Sequence, residues 1–133
     1  MKLISQASAE KLRGGFYTPP IIADFILRWA LTDGNRADIL EPSCGDGVFL
    51  KQLKKNRFNY ESLKAVELDT IEYEKSSVLT LDFENTTVTN CDFLEYCNNT
   101  NERFDVVIGN PPYIRYQFFD KKQQIEDEKI FIS

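Results

Sequence analysis

The chain has 133 residues, 42% of them apolar and 28% charged, which suits one soluble domain with its own core. No stretch is long enough to span a bilayer, and Met1-Lys2-Leu3-Ile4 passes at once into polar residues, which argues against a secretory leader. The net charge of −5 excludes a broadly basic surface. Three cysteines (Cys44, Cys91, Cys97) without any histidine suggest free thiols in a reducing cytoplasm and no metal site.

In chain order, Ser5 to about Leu12 reads as a short helix, punctuated by Gly14-Gly15 and by Thr18-Pro19-Pro20. Ile21, Ile22, Phe25, Ile26 and Trp29 then recur at helical spacing, with Pro20 near the helix start, and this stripe is expected in the core. Asp33-Gly34-Asn35 is a turn. Strands follow near Ala37–Leu40, Leu63–Glu67, Thr86–Asn90 and Asp105–Ile108. Helices alternate with them near Val48–Lys55, Thr70–Leu79 and Leu94–Cys97. Such alternation predicts an α/β fold with a parallel sheet and helices on both faces. Thr70–Phe83 is the weakest element, because Ser76, Ser77, Val78 and Thr80 are poor helix formers. Lys51, Lys54, Lys55 and Arg57 form a basic cluster that reads as a solvated helix face.

The strand ends carry the chemistry. Asn110-Pro111-Pro112-Tyr113 follows the apolar run Val106-Val107-Ile108, at the carboxyl end of a strand, where open parallel sheets bind ligands. The prolines fix the backbone, so Asn110 and the Pro111 carbonyl can stand as fixed acceptors. Tyr113 offers a flat face for stacking. Two acceptors and a ring suit a planar group bearing an NH2, although Asn-Pro also starts ordinary surface turns. Glu41-Pro42-Ser43-Cys44-Gly45-Asp46-Gly47 is a strand-to-helix turn whose glycines let a ligand approach the backbone. It lacks the dinucleotide and triphosphate signatures, and Glu41 would repel a polyphosphate and favour a ligand with a positive group. Glu67 lies about twenty residues on, where a carboxylate takes ribose hydroxyls in a Rossmann-like unit. Asp92 and Phe93 sit where an adenine amino group and ring edge would be met. Each acid alone also reads as a solvated strand end.

The ordered set resembles the gamma-group N6-adenine DNA methyltransferases of restriction–modification systems. It begins at Gly14-Gly15-Phe16-Tyr17-Thr18-Pro19-Pro20. The Glu41-Pro42 glycine turn, Val66-Glu67-Leu68-Asp69, Asp92-Phe93 and Asn110-Pro111-Pro112-Tyr113 follow, and Ile114-Arg115-Tyr116-Gln117 continues in the manner of larger members. The match runs from about Lys11 to Gln117. The resemblance implies a Rossmann-like fold that uses S-adenosylmethionine. Phe16, Tyr17, Thr18 and Pro19 would close over the methionine end. The turn residues Glu41, Pro42, Cys44, Gly45 and Gly47 would line the cofactor, Glu67 would hold the ribose, and Asp92 with Phe93 would take the adenine. Asn110, Pro111, Pro112 and Tyr113 would act on an adenine flipped out of duplex DNA.

The same resemblance implies a division of the chain. Residues 1–34 form an N-terminal segment with a cofactor motif, 35–117 the βα core, and 118–133 a charged tail. The family's sheet has seven strands, and only about four are legible, so the chain reads as truncated after the fourth. The target-recognition region that carries most DNA contacts is absent from it, which accounts for the acidic balance. A restriction or specificity subunit is an expected partner, no membrane is expected, and little activity is expected of this chain alone. The alternatives are a methyltransferase of a protein glutamine or an RNA exocyclic amine, and a cofactor-binding remnant without activity. The Gly14–Pro20 segment and the Glu41-Pro42 opening favour DNA.

Overall fold

A computed structural model describes residues 17–32, 34 and 36–111. The expected Ser5–Leu12 helix, the site residues Phe16, Pro112 and Tyr113, and the tail 118–133 lie outside the described residues.

Helix α1 (Pro20–Ala30) starts where the sequence predicts, with Pro20 at its first position and Pro19 as N-cap. Ring-locked φ angles suit that place, since a first-turn N–H has no helical partner to lose. Ile22 and Ala23 donate back to the Pro19 carbonyl at 3.0 and 3.1 Å. The predicted core stripe, however, faces outward: Ile21, Ile22, Phe25 and Trp29 are exposed, Trp29 to 75%. The buried face is Ala23 and Leu27, backed by the half-buried Ile26 and Ala30. The helix carries two apolar faces, and it is the one with alanines that packs on helix α2 (Val48–Lys55).

Strands β1 (Asp38–Glu41), β2 (Ser62–Glu67), β3 (Thr86–Asn90) and β4 (Val106–Val107) pair in the order β3-β2-β1-β4, all parallel. The register sets Ile39 beside Leu63 and Val106, and Leu40 beside Val107. The chain steps outward from β1 through β2 to β3, then returns to pair β4 on the other side of β1. The order therefore reverses between β1 and β4, and in open α/β sheets ligands bind at such a crevice. β4 is short, but Asp105 and Ile108 on either side of it donate to Asp38 and Leu40 carbonyls at 2.9 Å, so the pairing spans the predicted length. Ile39, Leu50, Leu53, Leu63 and Ala65 fill the core between the sheet and α2.

Helix α3 (Thr70–Leu79) forms over the predicted span despite its poor formers. Asp69 caps it, its Oδ1 accepting from the Ile71 and Glu72 amides at 3.0 Å. Helix α4 (Phe93–Asn99) is capped the same way by Asp92. The basic cluster is partly neutralised: Lys54 pairs with Asp82 at 2.7 Å and Lys51 with Asp46 at 3.7 Å. Among the described residues no helix is long and apolar enough to cross a membrane.

Candidate functional site

Three strand ends converge at the crevice. β1 ends one residue later than the sequence suggests, so Glu41 belongs to the strand and not to the turn. Its side chain is 1% exposed. Oε1 accepts from the Ser43 amide at 3.3 Å, and Oε2 is buried without a partner. Burial, with a smaller push from the Glu67 charge, raises the carboxyl from its usual 4.5 to about 8. Gly109, at the end of β4, lies against the same group: a Cβ there would come within 2.2 Å of Glu41 Oε1 and 3.3 Å of Pro42 Cδ. A side chain at 109 and a carboxylate at 41 cannot share the space.

The glycine turn is held from two sides. Gly45 and Gly47 adopt φ of 55° and 90°, a region that disfavours L side chains. A Cβ on Gly47 would also strike Leu79 Cδ2 at 2.8 Å. The Gly45 amide donates to Glu67 Oε2 at 2.7 Å, its carbonyl accepts from Ser76 Oγ at 2.7 Å, and the Cys44 amide reaches the Val66 carbonyl at 3.0 Å. The turn is thereby fixed to β2 and α3 at once. Cys44 is buried and its thiol is pushed up to about 12, mainly by burial, so it packs as a small apolar group.

Glu67 ends β2 with both oxygens in use, the other accepting from the Asp69 amide at 2.9 Å. A carboxylate oxygen has two lone pairs, so each can still accept from a hydroxyl. Asn90 steadies this strand end through the Glu67 and Leu68 carbonyls, at 2.8 and 3.0 Å. Asp92 differs from its sequence assignment in one respect. Oδ1 is committed to the helix cap, at 2.9 Å to the Leu94 amide, which leaves Oδ2 to meet anything else. Phe93 is half-buried beside it.

Asn110 follows Gly109 and is exposed, but its amide is tethered: Nδ2 donates to Thr18 Oγ1 at 3.1 Å. Thr18 is 9% exposed just ahead of α1. Tyr17 is exposed and its hydroxyl reaches Glu72 on α3 at 3.4 Å. Ser76, Gly109 and the Asp92 cap were not singled out from sequence. Only the cap had a signal, an Asp directly before a helix.

The structure thus brings Thr18, Glu41, Pro42, the glycine turn, Glu67 and Asn110 to one end of the sheet. A cavity of about 560 Å³ lined by Arg36, Lys54, Phe58 and Tyr60 opens at the opposite, amino end. Parallel sheets bind ligands at the carboxyl end, so that cavity does not compete.

The chain resembles known proteins over most of its length. Residues 23–132 match the family model described as Eco57I restriction-modification methylase. The chain is 30% identical over 112 residues to the type II methyltransferase M.AccI of Acinetobacter calcoaceticus, covering 84% of this chain and 20% of that protein. It is 36% identical over 105 residues to the type II methyltransferase M.CvrRI of Paramecium bursaria Chlorella virus XZ-6E, covering 78% and 26%. The chain therefore spans a fifth to a quarter of the length of these relatives. Among solved structures, one described as an RNA methyltransferase by assignment, from Pyrococcus horikoshii, superposes with a TM-score of 0.63 at 22% identity, over 85% of this chain and 56% of that one. That likeness speaks to the fold alone.

Proposed function

The chain belongs to the Eco57I restriction-modification methylase family, a Rossmann-like methyltransferase whose cofactor is S-adenosylmethionine, and on that premise we propose that it methylates N6 of adenine in DNA. The observation that carries the reading is that Gly109, at the end of β4, lies against Glu41, at the end of the adjoining β1, with Asn110 the next residue in the chain. The exposed Asn110 amide and the buried, half-satisfied Glu41 carboxyl thus stand at the carboxyl ends of neighbouring strands, at the sheet's switch point.

The residues present fit the cofactor. Glu41 Oε2 is a buried acceptor with no protein donor, which a cationic α-amino group would satisfy. Glu67 has lone pairs left for ribose hydroxyls, and Asp92 Oδ2 with Phe93 suits the adenine. Bound there, S-adenosylmethionine supplies a methyl group on a cationic sulfur.

The chain's own residues do the rest. Asn110 Oδ1 and the Pro111 carbonyl accept the two N6 hydrogens of the target base. This draws N6 toward pyramidal geometry and turns its lone pair toward the methyl carbon. With the cofactor bound, N6 would gain the methyl, the bonding pair would stay on the sulfonium sulfur, and one N6 proton would leave to solvent. Tyr113 stacks on the base, which must leave the duplex because N6 is out of reach in the stack. The rate gain comes from orientation and fixed dipoles.

The test is transfer of a labelled methyl to duplex DNA by the intact protein and by Asn110→Ala, with cofactor binding followed by thermal shift. Transfer is expected to fall by roughly 10²- to 10³-fold, the scale for losing one fixed polar group at a reacting centre. The shift from S-adenosylmethionine is expected to stay. Parallel loss of both would remove Asn110 from the chemistry.

A further inference from the structure

We infer that Thr18 is a positioning residue that decides which end of the Asn110 amide faces the substrate. The inference rests on the proposed role of Asn110 as the acceptor of the substrate amine.

An asparagine amide is nearly symmetric in shape and opposite in polarity at its two ends. With Oδ1 toward an NH2 group it accepts, but rotated by half a turn it points two donors at two donors. Asn110 is exposed and follows a glycine, so nothing about its own position selects one rotamer. The selection comes from a residue 92 positions away: Thr18 Oγ1, 3.1 Å from Nδ2. A hydroxyl oxygen also accepts, so a hydroxyl partner alone does not fix the assignment. The proposed reaction does, since Oδ1 can join the Pro111 carbonyl in accepting the substrate amine only when Nδ2 is turned away toward Thr18.

Thr18 is well built for this. It is 9% exposed, whereas the residue it holds is open to solvent. It precedes Pro19-Pro20, and a residue before proline is restricted to extended geometry. Pro19 in turn caps α1, with φ −59° and ψ 140°, and its carbonyl takes two amides of the first helical turn. The hydroxyl is thus anchored through α1 to the core, and Asn110 borrows that rigidity. Once Thr18 accepts from Asn110, its own proton is free to be donated elsewhere.

The test compares Thr18→Val, which keeps the shape and removes the hydroxyl, with Thr18→Ser, which keeps the hydroxyl. The first measurement needs no turnover. In protein labelled with ¹⁵N-asparagine, with Asn110→Ala identifying the signal, hydrogen exchange of the Asn110 side-chain amide is followed. Slow exchange is expected in the wild type and in Thr18→Ser, and fast exchange in Thr18→Val. Unchanged exchange in Thr18→Val overturns the inference. In methyl transfer, Thr18→Val is expected to lose roughly tenfold to a hundredfold in kcat, the scale of one hydrogen bond to a reacting centre, with a smaller change in cofactor affinity and recovery in Thr18→Ser. A loss confined to cofactor affinity overturns it and leaves Thr18 a cofactor contact alone. A wild type that binds S-adenosylmethionine but methylates no adenine refutes the proposed substrate instead, and the amide exchange then decides the position of Asn110 by itself.

Discussion

Replacing Glu41 with glutamine separates the stability of this fold from its ligand binding. Glu41 is 1% exposed, one oxygen has a single amide partner at 3.3 Å, and the other has none. Its carboxyl is raised from 4.5 to about 8. A carboxyl raised in the folded state binds its proton more tightly there than in the unfolded chain. Stability is therefore greatest below about pH 4.5 as far as this group is concerned, falls as pH rises to about 8, and is constant above. The span corresponds to a penalty on the order of 5 kcal/mol at alkaline pH. Glutamine has nearly the same shape and cannot ionise. Glu41→Gln should match the wild type in urea denaturation at pH 5 and exceed it by several kcal/mol at pH 9.

The opposite result is expected for the cofactor. At pH 7 a carboxyl titrating near 8 is roughly nine-tenths protonated. A cationic amino group bound at Oε2 would ionise it, so binding S-adenosylmethionine should release close to one proton. Calorimetry in two buffers of different ionisation enthalpy reads that proton directly. In Glu41→Gln the release should vanish and the affinity should drop by roughly tenfold or more, as for a lost charged hydrogen bond. A stability gap that does not widen with pH would refute the burial argument. Wild-type binding with no proton release, and unweakened binding by the variant, would refute the ammonium assignment.

Two further substitutions probe the frame around this carboxylate. Gly109→Ala places a Cβ 2.2 Å from Glu41 Oε1, so it should destabilise by about 1–3 kcal/mol, as overpacking does, and weaken cofactor binding with it; denaturation midpoints and a titration check both. Ser76→Ala removes the 2.7 Å bond to the Gly45 carbonyl, so it should lower stability by about 1 kcal/mol and loosen the glycine turn, seen as faster amide exchange at Gly45 and Gly47.

Much of this architecture was legible because parallel strands and turns write themselves locally. The apolar runs, the glycine turn and the Asn-Pro-Pro sequence each predict an element from neighbouring residues, and the four strands and the α2 and α3 spans follow. What escaped depends on residues distant in sequence. Ser76 looked like a poor helix former, which locally it is. Its small hydroxyl is what lets α3 close on the Gly45 carbonyl, 31 positions away. Asp92 reads as a ligand group, yet one of its oxygens caps α4, because the nearest unpaired donors at a helix start are the helix's own amides. Glu41 sits in a sequence that reads as a turn, and only the pairing of β1 within the sheet makes it a buried carboxyl.

Helix α1 shows the limit most sharply. Its period was right and its face was wrong, because periodicity gives an angle between side chains and not the side on which the core lies. Ile22, Phe25 and Trp29 form one apolar face, and Ala23, Leu27 and Ala30 another. On area alone the first should win. The second wins because its alanines let α1 approach α2 closely, and because polar ties hold it there. Asn56, at the end of α2, donates to Asp24 at 2.6 Å, and Asp24 also pairs with Arg28 at 2.9 Å, whose guanidinium lies 5.7 Å from the centre of the Phe58 ring. Turning the larger face inward would break that set. The orientation of α1 reaches the site directly, since Pro19 caps the helix and Thr18 stands one residue before it. The packing of α1 on α2 and the polar ties around Asp24 thus hold the helix that Thr18 precedes, and with it the hydroxyl that meets Asn110, the amide proposed to accept the substrate amine.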